Sequence, residues 1–460
     1  MPFTRLLLNE VGPFRKLRLD LTDGQGKPHL GPHILAGVNG SGKSTVLRAL
    51  SLTVQPQGSP WPAALSEFFT HVVSASGGSI LAAIQSPTGV QGVSLMFKGK
   101  DDLPPALTPE DEGFLDLRAV NAAHGNRKWV RLPFDPGSSR WVSDPSIFTI
   151  ARSRPMVEMV GAYRPSLLLR HLPQENLRGI QTDVLQGSTG FENAIDNESS
   201  QAWLREQYSM RAIAKDKGTP QDRFSAILDR INSLLREIFG QPVELDVDIG
   251  KTLELRFRFN HQSLNFSQLP DGVRYLLGLT VDFLRRRELA DWDESIADKK
   301  PSVLLIDELD GHLHPKWQRA VLPALQKALP DVQIIVSTHS PFVISSCRGA
   351  KVHVLQLDEE GNASVRPPMD APIGESLMAT VQDVFGVESR FDVETERELG
   401  RWNDLQKRRS GVQLTPEEQS ELARLTDELA ERSEELRMIV KPAAALSESA
   451  LKVLLKDEVA

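Results

Sequence analysis

Cysteine is almost missing from this chain. Cys347 stands alone in 460 residues, which excludes an intramolecular disulfide and any thiolate-rich metal site. Long apolar runs are missing too. None approaches the roughly 20 residues needed to span a bilayer. At the N-terminus only Leu6, Leu7 and Leu8 precede Asn9 and Glu10, too short a run for a signal peptide. The expectation is a cytoplasmic protein with no membrane partner. Nor is there a global basic field. The formal net charge is −8, so nucleic acid would need a local basic patch. The runs at 126–131, 285–287 and 406–411 are candidates, although such runs are more often solvated faces. DNA stays open as a partner.

The length suits two or three domains, or one large domain with insertions. Residues 3–8 and 16–22 pattern as strands around the turn "EVGPF". "PHILAG" at 32–37 is another strand, and a helix from Lys43 to about Leu52 should follow. Several short strands are expected between Ser79 and Leu132, and one more early in 148–166. After Thr219 and Pro220, Phe224, Ile227, Leu228, Ile231, Leu234, Leu235 and Ile238 recur at helical spacing. "VELDVDIG" and "TLELRFRF" alternate as a hairpin does. "SVLLIDE" (302–308) and "VQIIVSTHS" (332–340) are short apolar runs of the buried, parallel kind. Near the C-terminus, Thr415, Pro416 and Glu418 form a helix start with a capping box. Leu422, Leu425, Leu429 and Leu436 then make a narrow stripe that pairs with Leu399, Trp402 and Leu405.

"GVNGSGKST" carries the first chemistry. Gly37, Gly42, Lys43 and Ser44 fit the phosphate-loop pattern G-x-x-x-x-G-K-[ST], between a strand and a helix as the pattern requires. Backbone N–H groups of Asn39, Gly40, Ser41, Gly42, Ser44 and Thr45 would converge on phosphate, aided by the helix N-terminus. Lys43 would reach the β- and γ-phosphates of ATP, and Ser44 would ligate Mg2+. Asp307, at the end of a buried strand, can hold that Mg2+ from the other side. Glu308 can orient and deprotonate the attacking water. His339, 31 residues after Glu308 (339 − 308), ends another buried strand and can donate to a γ-phosphate oxygen. Gln85 is a candidate further metal ligand.

With these motifs the chain resembles the ABC-type ATPases of the SMC, RecF and OLD lineage. "GVNGSGKST" looks like their Walker A, "VLLIDELD" like their Walker B and "VSTHSP" like their His switch. "DELDGHLHPKWQ" (307–318) is similar to a run in ATPases of bacterial phage-defence loci, the PtuA proteins of Septu systems and the retron-associated ATPases. "GAYRPS" (161–166) is similar to another segment of that group. The resemblance covers roughly 1–55 and 265–350, and weakly 148–170. It implies an α/β fold: an ABC-type P-loop head with a mixed or parallel core sheet. The head would comprise 1–168 and 241–375, with a short helical arm inserted at 169–240 and a C-terminal helical region at 376–460.

In this lineage two heads close around two ATPs, and each site is completed by a signature loop from the other subunit. "QLPDGVR" resembles the signature "LSxGxR". Gly272 and Arg274 match it, and Pro270 replaces the usual serine. Asp310 resembles the aspartate that communicates across the dimer. Phe14 and Arg15 resemble a segment near the nucleotide base. The resemblance implies ATP and Mg2+ as cofactors, a homodimer or higher homo-oligomer, and a separate nuclease effector of HNH or Toprim type, because 351–460 show no acidic metal-binding constellation of their own. Two other readings remain open: a RecF-like DNA-repair ATPase, and a nucleotide-gated scaffold with little turnover.

Overall fold

The structure is a computed structural model. It describes residues 2–53, 77–86, 89–98, 108–115, 130–135, 140–141, 156–160, 197–218, 222–241, 243–249, 253–259, 261–292, 302–387, 389–411 and 414–442. "GAYRPS" at 161–166, the helix start at Thr219 and Pro220, and much of the expected arm lie outside these residues. Two compact units divide the chain, Met1–Phe385 and Gly386–Ala460.

A parallel sheet organises the first unit. Its strands are β3 (His33–Gly37), β8 (Met156–Val160), β12 (Ser302–Ile306), β13 (Val332–Thr338) and β14 (Lys351–Leu357), in the order β14-β3-β13-β12-β8. The antiparallel strands β15 (Ala363–Val365) and β16 (Met369–Asp370) pair with β14. Each central strand sends alternate residues to opposite faces. Ile34, Ala36, Leu304, Ile306, Ile334 and Val336 join one core. Leu35, Val303, Leu305 and Ile335 join the other. Both faces are therefore buried, which is why these strands read as unbroken apolar runs. The fold is α/β with a mixed sheet, as expected.

The second core lies against a largely antiparallel sheet. It contains β1 (Phe3–Val11), β2 (Phe14–Asp20), β4 (Gly77–Ser86), β5 (Gly89–Lys98), β6 (Val130–Asp135) and β7 (Arg140–Trp141), ordered β2-β1-β4-β5-β6-β7. Helix α1 (Lys43–Leu52) adds Val46, Leu47, Ala49 and Leu50 to this core. Helix α2 (Pro109–Phe114) opens on a capping box at Thr108. Asp111 of that helix is ion-paired to Lys16 and Arg18 of β2. One amide joins the two sheets. The buried Gln333 accepts from Phe3 N (2.8 Å) and donates to Phe3 O (2.9 Å), so a side chain replaces a missing strand pairing. Gln333→Leu is expected to strand both groups, at about 1–3 kcal/mol for each. A lower urea midpoint at unchanged slope would show it; an unchanged midpoint would mean that the bridge contributes nothing.

Helices α3 (Asn197–Asp216), α4 (Asp222–Phe239), α5 (Asp271–Trp292) and α6 (Pro315–Ala328) cover the other face. The apolar stripe from Ile227 to Ile238 belongs to the same core as the parallel strands. The hairpin β9 (Glu244–Ile249) and β10 (Leu253–Phe259), extended by β11 (Gln262–Leu264), packs Leu255, Phe257 and Phe259 there too. Short helices α7 (Pro341–Ile344) and α8 (Leu377–Phe385) complete this unit. No helix among the described residues is long and apolar enough to cross a membrane.

The second unit consists of α9 (Val393–Gly411), α10 (Pro416–Arg432) and α11 (Glu434–Val440). Thr415 and Glu418 cap α10 reciprocally. Leu422, Leu425 and Leu429 pack on Leu399, Trp402 and Leu405. The Trp402 indole donates to Thr426 Oγ1 (2.8 Å).

Candidate functional site

Three adjacent parallel strands, β3, β13 and β12, end side by side. The phosphate loop follows the first, His339 the second, and Asp307 and Glu308 the third. In an open α/β sheet this carboxyl edge is where ligands bind.

Gly37 closes β3, and Val38, Asn39 and Gly40 form the exposed crest of the loop. Gly42 is in the left-handed region (φ 91°), and a Cβ there would lie 2.4 Å from Phe14 Cζ and 2.9 Å from Pro13 Cγ. Only glycine fits. It leaves the start of α1 with no side-chain cap and no acid in its first turn, so the helix's leading N–H groups face the loop unblocked. The Lys43 ammonium lies back on the loop, donating to Gly37 O (3.0 Å) and Val38 O (2.9 Å). Burial lowers its pKa, while Asp307, Glu308 and Asp310 act against that. Ser41 Oγ is fully buried with no partner among the described residues. Ser44 and Thr45 stand half-buried in the first turn of α1.

Asp307 is buried, and Ser337 Oγ donates to its Oδ1 (2.5 Å). The same hydroxyl accepts from Glu308 N (2.8 Å). Glu308 itself is exposed and sits at φ 52°. A non-glycine residue held there stores strain, as functional residues often do. His339 N donates to Asp310 Oδ1 (3.3 Å), and Thr338 Oγ1 bonds the same oxygen. Burial first, and then the Lys43 charge, hold the His339 pKa below its usual value, while Asp310 and Asp307 pull it up. The imidazole is therefore neutral near pH 7 and keeps one N–H to donate. The structure thus brings Lys43, Asp307, Glu308, Asp310 and His339 together. A glycine-rich loop, an uncapped helix N-terminus, one buried carboxylate and one serine hydroxyl suit a nucleotide with Mg2+, which would take its other ligands from phosphate and water.

Gln85 is a correction. β4 runs antiparallel to β1, with Ser79 opposite Asn9 and Ile84 opposite Phe3. The Asn9 end leads to the Pro13–Phe14 turn against Gly42. Gln85 lies at the other end, its N–H on Pro2 O (2.9 Å). Six residues of extended strand beyond Ser79 place it roughly 20 Å farther off, out of reach of a metal at Ser44.

The signature residues have partners within this chain. A Cβ on Gly272 would lie 2.9 Å from His312 O and 3.1 Å from Leu313 Cδ2, so glycine lets α5 pack on the loop after Glu308. The Arg274 guanidinium pairs with Asp271 and donates to Ser267 O (3.1 Å). The Asp310 carboxylate is engaged by Thr338 and His339. Phe14 is buried against the loop, whereas Arg15 is exposed and 3.6 Å from Glu360.

"HLHPKWQ" is a brace. His314 Nδ1 accepts from Lys316 N (3.2 Å) and caps α6, and Pro315 occupies its first turn. The Trp317 ring meets Phe239 edge-on at 4.8 Å. No motif in the sequence marks Tyr275, which lies in α5. It is buried, and burial and then Asp307, Asp310 and Glu308 push its phenol pKa up.

Residues 130–345 match the family described as "AAA domain, putative AbiEii toxin, Type IV TA system". The chain is similar to "Retron Ec83 probable ATPase" of Escherichia coli, 29% identical over 193 residues, 41% of this chain and 33% of the relative. It is also similar to "Septu protein PtuA" of Bacillus thuringiensis, 34% identical over 203 residues, 43% of this chain and 50% of the relative. The chain thus spans a third to a half of the length of these relatives. Among solved structures, the SMC head domain from Thermotoga maritima aligns over 80% of this chain and 99% of that one, at 16% identity and a TM-score of 0.40. The likeness to PtuA proteins and retron-associated ATPases that the motifs implied is borne out.

Proposed function

We propose that this chain hydrolyses ATP as the motor or sensor subunit of an anti-phage defence complex. Two heads close around ATP and control a separate nuclease effector. One observation carries the reading: Lys43, Asp307, Glu308 and His339 converge at the ends of three adjacent parallel strands. The names of the relatives add support for the defence setting.

In this reading the loop N–H groups and Lys43 hold the β- and γ-phosphates. Ser44 and Asp307 would hold Mg2+, which would neutralise phosphate charge. Glu308 orients a water and takes its proton as the water oxygen bonds to the γ-phosphorus and the bond to ADP breaks. Neutral His339 donates a hydrogen bond to a γ-phosphate oxygen, and ADP and phosphate leave. Gly272 lets the start of α5 lie close to the loop after Glu308, and Arg274 reaches the partner's nucleotide once the Asp271–Arg274 pair opens.

A slow, scaffold-like turnover is favoured by one feature. Pro270 is exposed at the start of α5 and offers no hydroxyl where the lineage has serine. Pro270→Ser is expected to raise ATP turnover about two- to tenfold by adding a donor at that helix N-terminus. Phosphate release tests it. A rate equal to or below wild type would mean that 269–274 do not act on a nucleotide in trans.

A further inference from the structure

The hydrogen bonds beside His339 close into a ring of residues that the chemistry above does not use, and Gln318 joins its two ends. Gln318 lies in the first turns of α6. Its Nε2 donates to Asp310 O (3.2 Å) and Leu313 O (2.8 Å). Its Oε1 accepts from Ser340 Oγ (2.7 Å). The amide orientation is determined by these partners, because two backbone carbonyls can only accept. Ser340 N donates to Thr338 Oγ1 (3.0 Å). Thr338 Oγ1 bonds the Asp310 carboxylate, which also accepts from His339 N. The circuit runs from Gln318 through Asp310, Thr338 and Ser340 back to Gln318, with His339 between two of its corners.

We propose that Gln318 is a positioning residue for hydrolysis. It ties the loop that follows Glu308 to the residues on both sides of His339, and so sets the imidazole against the carboxylate. The proposal rests on the ATPase reading. The chemistry is demanding: one planar group must present two donors on one side and an acceptor on the other. Asparagine is a methylene too short, glutamate has no donor, and leucine has neither. The rest of the loop shows why a brace is needed. Glu308 and His312 are both left-handed, at φ 52° and 60°, so the turn from 308 to 312 depends on outside bonds to hold its shape. Ser340 serves twice, since its Oγ also accepts from Phe342 N (3.1 Å) and starts α7. The Gln318 amide therefore links the starts of two helices to one strained loop.

The test uses the full chain and three measurements: ATP turnover, affinity for a non-hydrolysable ATP analogue, and the thermal midpoint. Gln318→Leu keeps the bulk and removes all three bonds, and Gln318→Glu keeps only the acceptor. Both are expected to lose about tenfold or more in kcat, as small misplacements of catalytic groups do, while analogue affinity stays within about twofold. The deciding measurement is a cycle with His339→Ala, followed under single-turnover conditions. If Gln318 acts through His339, adding Gln318→Leu to His339→Ala costs almost nothing further. Wild-type kcat in Gln318→Leu, a parallel loss of analogue affinity, or losses that multiply in the double variant would each overturn the proposal. A wild-type chain without Glu308-dependent turnover overturns the ATPase reading itself, and is recognised before any Gln318 variant is measured.

Discussion

Alanine at position 42 is expected to abolish nucleotide binding. The residue sits at φ 91°, where a side chain costs about 1–2 kcal/mol in backbone strain. The larger obstacle is contact. The new Cβ would lie 2.4 and 2.5 Å from two Phe14 ring atoms. Phe14 is buried in the core beneath the loop, so its ring has nowhere to go and the loop must lift instead. Lifting it moves the N–H groups at the start of α1 away from their common focus, and that convergence is what binds phosphate. Calorimetric titration with Mg2+-ATP should show affinity down at least about 100-fold, equivalent to about 2.7 kcal/mol. The core beneath is unchanged, so the fold should survive with a modestly lower midpoint. Gly42→Ala protein that binds ATP within tenfold of wild type would mean that the phosphate does not sit in this loop.

Glu308→Gln should separate binding from chemistry. The side chain is exposed, so the amide can replace the carboxylate with little effect on packing. The backbone keeps its φ of 52° because Ser337 Oγ still accepts from its N–H (2.8 Å). What is lost is the proposed base. Removing a general base typically costs about 10²–10⁴ in rate, so turnover should fall by that order while ATP affinity stays near wild type. Loss of binding in step with turnover would instead assign Glu308 to nucleotide or metal contact.

The central strands and the phosphate loop were legible in the sequence because their causes are local. An unbroken apolar run such as "VLLI" followed by two acids fits a short strand buried on both faces that meets solvent at one end. The glycines around Lys43 likewise announce a backbone that must curl. Gln85 shows where local pattern stops. A polar residue after "LAAI" marks the end of a strand, but which end of the sheet it marks depends on the direction of β1, a partner about 80 residues away. Gly272 shows the same limit in another form. Its match to the signature pattern gives no sign of the close approach that the structure shows within the chain, at His312 O. Tyr275 and Gln318 were hidden for a third reason. Each looks like an ordinary helix residue until the loop it touches is folded beside it.

The central claim is that this carboxyl edge hydrolyses ATP. Phosphate release from Mg2+-ATP by the wild-type chain and the Glu308→Gln variant, over a range of protein concentrations, tests it most directly. The account predicts measurable wild-type release, a specific activity that rises with protein concentration as heads pair, and a variant slower by about 10² or more. Equal rates in the two proteins at every concentration would contradict it.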